Sequence, residues 1–87
     1  MDSRLITRLT IEDHSVVVMQ LPGNWKAVVG DIELELWEEE SQGWVLSWRR
    51  SSAGKFEGGR GKEFESKPTF EQFCDASVAM IKSLLHS

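Results

Sequence analysis

Gly43–Ser66, GWVLSWRRSSAGKFEGGRGKEFES, decides how this chain is read. Its first part alternates. Trp44, Leu46 and Trp48 stand against Val45, Ser47 and Arg49, the period-two pattern of a half-buried strand. Its middle, residues 51–61, holds Gly54, Gly58, Gly59 and Gly61, and reads as a glycine-rich hairpin tip that carries basic charge into solvent. Its last part, residues 60–66, reads as a returning strand. In that register Trp48 opposes Phe64, and Arg49 opposes Glu63. Arg50 and Lys62 then face each other on the apolar side, so that end of the sheet is expected to lie beyond any covering helix.

Working outward toward the N-terminus, Ile32–Glu39 alternates cleanly, with Ile32, Leu34 and Leu36 against Glu33 and Glu35. Gly30-Asp31 separates it from the strand-like Trp25–Val29, a two-residue hairpin signal. Closing that turn opposes Val29 to Ile32, Ala27 to Leu34, Trp25 to Leu36 and, on the other face, Lys26 to Glu35. A three-residue loop at Glu40–Gln42 opposes Leu36 to Leu46, Leu34 to Trp48, Trp37 to Val45 and Glu33 to Arg49. Arg49 is thereby expected between Glu33 and Glu63. Val16–Leu21 is a continuous apolar run, and its valines and the following Pro22-Gly23-Asn24 make it a strand. Leu5–Glu12 alternates, with Leu5, Thr7, Leu9 and Ile11 on one side. Loops at Asp13–Ser15 and Pro22–Asn24 pair Leu9 with Met19 and Met19 with Ala27.

Toward the C-terminus, Pro68 ends the sheet. Thr69 with Gln72 three residues on forms a capping box, and Phe70, Phe73, Cys74, Ser77, Ile81, Leu84 and Leu85 recur at helical spacing. The expected architecture is α+β, one domain over 1–87: an antiparallel meander of about six strands (4–12, 16–21, 25–29, 32–39, 43–50, 60–66) with one C-terminal helix (69–85) packed on one face. A helix is about 10 Å wide, whereas six strands about 4.8 Å apart span well over 20 Å. Either the sheet curls around the helix or apolar surface stays open as an interface. The order of elements, a meander feeding a C-terminal helix, is similar to that of whirly-type single-strand-binding transcription coactivators. That resemblance is in element order only, and it implies a nucleic-acid-binding alternative.

Composition bounds the function classes. Eighty-seven residues, 40% hydrophobic with four Trp and four Phe, supply one core. The single cysteine, Cys74, excludes an internal disulfide framework and suggests a reducing compartment. The start, MDSRLITRLTIED, carries charge and lacks an apolar h-region, and no apolar run approaches ~20 residues, so a soluble cytoplasmic protein without a membrane contact is expected. Net charge is −4, yet residues 1–43 carry −6 and residues 44–87 carry +2, a dipolar layout rather than that of a general polyanion binder.

No residue set commits to a reaction. The glycine-rich stretch fails as a phosphate loop, because Gly61-Lys62 would need glycine where Phe56 stands and Ser or Thr where Glu63 stands. His14 and His86 have no zinc-ligand spacing, and Cys74 falls on the buried helix face. Glu33, Glu35, Glu38, Glu39 and Glu40 lack the spacing of a calcium loop. They read as a solvated acidic face or as a surface for a basic partner. No cofactor or metal is expected, and no enzyme activity.

Two binding surfaces remain. Trp37 points to the outer face beside Val45, with Val28 and Val18 expected near it and Glu38, Glu39 and Glu40 at its end, a candidate protein-binding patch or homodimer contact. Arg50, Lys55, Phe56, Arg60 and Lys62 form the candidate nucleic-acid surface. The leading expectation is a small non-enzymatic protein that binds another protein or itself. Small regulators and inhibitors, phage-encoded ones among them, share this profile.

Overall fold

The computed structural model describes residues 4–40, 43–52 and 54–86. Six strands run in meander order, β1 (Arg4–Ile11), β2 (His14–Leu21), β3 (Asn24–Val29), β4 (Ile32–Glu39), β5 (Gly43–Ser52) and β6 (Lys55–Phe64), followed by helix α1 (Phe70–Leu85). Every strand pairs antiparallel with its sequence neighbour, so β1 and β6 are the two sheet edges. This is the α+β meander with a covering helix that alternation and capping foretell.

The middle of the sheet has the expected register. Val29 opposes Ile32, Ala27 opposes Leu34 and Lys26 opposes Glu35. Leu36 opposes Leu46, Leu34 opposes Trp48, Trp37 opposes Val45 and Glu33 opposes Arg49. Of the expected turn Glu40–Gln42, residues 41 and 42 lie outside the described residues. Instead of a Trp25–Leu36 pair, Asn24 Nδ2 donates to the Leu36 carbonyl at 2.7 Å.

The outer hairpins are tighter than expected, and this moves side chains between faces. Glu12 and Asp13 make a two-residue turn with φ of 51° and 70°, the positive pair that a type I′ turn requires. Leu9 therefore opposes Val16, not Met19. Pro22-Gly23 is also a two-residue turn, which opposes Val18 to Ala27 and Met19 to Lys26. Val18 thus lies on the helix side, fully buried. A bulge at Ile6 sets Leu5 opposite Met19 while Thr7 opposes Val18, so Leu5 leaves the face of Leu9 and Ile11.

The largest correction is in the glycine-rich stretch. It is strand, not a hairpin tip. Ser52 pairs with Lys55, and Gly54 turns with φ of 77°. Trp48 consequently opposes Gly59, Trp44 opposes Phe64 and Val45 opposes Glu63; Arg49 opposes Gly58, and Arg50 opposes Glu57. The expected Arg50–Lys62 opposition and the Arg49–Glu63 pairing are absent, because Ser51, Ser52 and residues 55–59 also belong to the ladder. Gly61 is an extra residue between the Leu46–Lys62 and Ser47–Arg60 pairs. The glycines are where the core needs room. A Cβ on Gly59 would sit 3.2 Å from the Trp48 indole nitrogen, and one on Gly61 would sit 2.2 Å from Met80 Cε.

The centre of the apolar face is covered rather than open. Val16, Val18, Ala27, Leu34, Leu36 and Leu46 on four successive strands are all at 0% exposure, beneath Phe73 and Ile81 of α1. Burying each such valine or leucine side chain contributes about 1.5–3 kcal/mol. Trp25, Trp44 and Trp48 pack around this core, as the inward assignment expects. The helix begins with the capping box: Gln72 N–H donates to Thr69 Oγ1 at 3.1 Å, and Thr69 N–H donates to Gln72 Oε1 at 2.9 Å. It is held at its other end by Arg50, whose Nη2 donates to the Leu84 carbonyl at 2.8 Å, a cation placed at the negative end of the helix dipole. His86 Nε2 lies 2.7 Å from Glu12 Oε1, tying the same end to the first turn. Lys67 closes the opposite end of the core. Its ammonium lies 5.0 Å from the Trp25 ring and 5.3 Å from the Trp44 ring, and it donates to the Gly23 carbonyl at 3.0 Å.

Candidate functional site

With the core of the inner face buried under α1, the outer face of β4–β6 is where the candidate side chains gather. Trp37 is on β4, and alternation there sends Glu33, Glu35 and Trp37 outward while Ile32, Leu34 and Leu36 go in. Its indole remains 50% exposed. The indole N–H donates to Ser47 Oγ on the neighbouring strand, and Ser47 Oγ–H points on toward the Glu35 carbonyl at 3.4 Å. The ring is therefore oriented while its apolar edge still meets water.

Beside it, Arg60 bridges three strands. Its Nη1 and Nη2 donate to Glu39 Oε2 and Oε1 at 2.7 and 2.8 Å, a bidentate pair that crosses β5, and Nη2 also reaches Glu63 at 3.1 Å. The guanidinium holds the Glu39 carboxyl below its ordinary range, and the two carboxylates push the Arg60 pKa up. Val45 lies between Trp37 and Glu63 in the ladders and is buried although it faces outward. Trp37, Glu38, Glu39, Val45, Ser47 and Arg60 line one shallow depression.

The structure thus brings together Trp37, Val45, Glu38 and Glu39, with exposed Glu40 following in the turn. It does not bring in the other two expected members. Val18 is on the opposite face, displaced by the tight Pro22-Gly23 turn. Val28 faces outward but is level with Glu33, four residues along β4 from Trp37, about 13 Å at the rise of a strand. Level with Val28, Glu33 receives Arg49 at 2.7 Å and Lys26 at 3.2 Å, which hold its carboxyl below the usual range, Arg49 contributing most.

The basic set is dispersed. Arg50 is engaged with the Leu84 carbonyl, and Arg60 with Glu39 and Glu63. Lys62 faces the helix side with its ammonium 5.7 Å from the Phe64 ring. Lys55 and Phe56 are exposed neighbours on β6, so their side chains leave opposite faces of the sheet. Sequence reasoning missed two exposed apolar residues, Leu5 and Ile6, at 48% and 39% exposure on the β1 edge. Their adjacency within an otherwise alternating strand is the signal of the bulge.

Cys74 is half-buried, and burial together with the neighbouring Asp75 carboxylate raises its thiol pKa, the reverse of what a nucleophilic thiolate needs. Among the described residues, no three His, Cys, Asp or Glu side chains gather where they could hold a metal ion. No helix among them is long and apolar enough to cross a membrane. Comparison with known proteins brings no match, whether with a family model, a curated protein or a solved structure.

Proposed function

We propose that this chain is a small, non-enzymatic interaction protein of regulator or inhibitor type that binds another protein through the outer face of β4–β6, with Trp37 as the anchor. The observation that carries this reading is the half-exposed indole, held by Ser47 and flanked by the Arg60–Glu39 pair. A large aromatic group fixed before binding loses little conformational freedom on association, which is why such residues dominate interfaces. Glu40, exposed in the turn that follows β4, favours a partner that offers an apolar pocket rimmed by basic groups.

The test is affinity capture from native extract with wild-type and Trp37→Ala baits, followed by calorimetry on the recovered protein. Loss of at least ~2 kcal/mol, roughly thirtyfold in Kd, is expected for a hot-spot aromatic. Unchanged affinity would remove Trp37 from the interface. The alternative reading, a single-stranded nucleic-acid module, is left with Lys55, Phe56 and Lys62 as its contacts, since Arg50 and Arg60 are held within the fold. Salt-dependent oligonucleotide binding in fluorescence anisotropy, lost on neutralising Lys55 and Lys62, would favour it over the protein-binding reading.

A further inference from the structure

The β6 edge has a charge order that suits a second copy of itself. We infer that two chains associate through β6, antiparallel about a two-fold axis at Gly59, into one continuous twelve-stranded sheet. The backbone of β6 on the side away from β5 has no strand partner among the described residues. A lysine and a bulge on such an edge ordinarily discourage pairing. Here both fit the paired state. With Gly59 opposite its symmetry mate, Gly58 faces the partner's Arg60. Gly61, already the extra residue against β5, is again the extra residue. Beyond it Glu57 faces the partner's Lys62, Phe56 faces the partner's Glu63, and Lys55 faces the partner's Phe64.

Each of these pairs keeps its side chains on one face. Against β5, Glu57 and Lys62 oppose Arg50 and Leu46 on the helix side, and Phe56 and Glu63 oppose Ser51 and Val45 on the outer side. The two-fold therefore makes two Glu57–Lys62 pairs, whereas β6 edges of uniform sign would repel. Glu57 and Lys62 have no ion pair within the protomer among the described residues, so both are available. The same pairing covers Phe56, the most exposed large apolar side chain of the described residues at 67%, with the partner's Glu63 and the stem of the partner's Arg60. This surface shares Arg60 with the rim of the Trp37 depression, but its test reads the mass of the assembly and does not depend on that reading.

The test is a charge exchange read by light scattering after size exclusion at micromolar concentration. Wild-type chain is expected at the mass of two chains. Glu57→Lys sets lysine against Lys62, and Lys62→Glu sets glutamate against Glu57. Each variant alone is expected as a monomer, with Kd raised at least roughly tenfold. An equimolar mixture of the two singles restores both pairs and is expected to run as a heterodimer, as is the Glu57→Lys/Lys62→Glu double variant as a homodimer. Both positions are exposed, and circular dichroism confirms that each variant is folded. Wild-type chain that stays monomeric at high micromolar concentration overturns the inference without reference to any variant. Folded single variants that remain monomeric on mixing overturn the pairing register.

Discussion

Gly61→Ala probes the contact by which helix and β6 edge meet. A Cβ at this position would lie 2.2 Å from Met80 Cε, 2.4 Å from Met80 Sδ and 2.9 Å from the Leu46 carbonyl oxygen. The first two atoms end a flexible side chain and can yield; the carbonyl is backbone and cannot. Adding one methyl to a packed site of this kind costs about 1–3 kcal/mol. For a domain of this size each kcal/mol lowers Tm by about 4–8 °C. Met80→Ala removes the yielding part of the clash, so the two substitutions are expected to be coupled by about 1 kcal/mol in a double-mutant cycle, with the carbonyl contribution surviving. Tryptophan fluorescence in urea, extrapolated linearly at one protein concentration, measures all four corners. If the two effects add within about 0.5 kcal/mol, Met80 does not rest on Gly61 and the packing of α1 against β6 is wrong.

Other substitutions test neighbouring links. Ser77 is buried to 1% exposure, and its hydroxyl has no hydrogen-bond partner among the described residues, so Ser77→Ala is expected to stabilise the fold by about 1 kcal/mol in the same urea assay. Thr69→Ala removes the side-chain half of the capping box and is expected to cost about 1 kcal/mol, with loss of helical circular dichroism on heating at a lower temperature. The Glu33 carboxyl has its pKa lowered in the fold, chiefly by Arg49. Its stabilising contribution is therefore complete above the unfolded value near pH ~4.3 and is lost as pH falls through the lower folded value. Arg49→Ala is expected to flatten the acid limb of the stability profile, by less than about 1 kcal/mol because the pair is half-exposed.

What could be read beforehand follows where side chains carried information. The β3–β4–β5 registers were legible because Ile32–Glu39 and Trp44–Arg49 alternate without a break and the turn residues Gly30-Asp31 are typical of hairpins. The outer hairpins were not. Glu12 and Asp13 adopt positive φ without a glycine to announce it, and Val16–Met19 is apolar at every position, so alternation could not choose its inward set. For that reason alternation does not reveal that Val18 faces inward. In β6 the glycines offer no side chain to alternate, and their fit depends on Trp48 and Met80, residues distant in sequence. The Trp37–Val45 pair followed from the legible register. The Arg60–Glu39 bridge could not, since it required β6 to be strand as far as Lys55.

The central claim, that the outer face around Trp37 meets the partner while the core beneath α1 takes no part, is tested most directly by the four indole N–H signals in a ¹H–¹⁵N spectrum. Trp37→Phe assigns one of them. On titration with the captured partner, the Trp37 signal is predicted to shift or broaden while those of Trp25, Trp44 and Trp48 hold still. A Trp37 signal unmoved at saturation, with backbone signals changing elsewhere, would contradict the account.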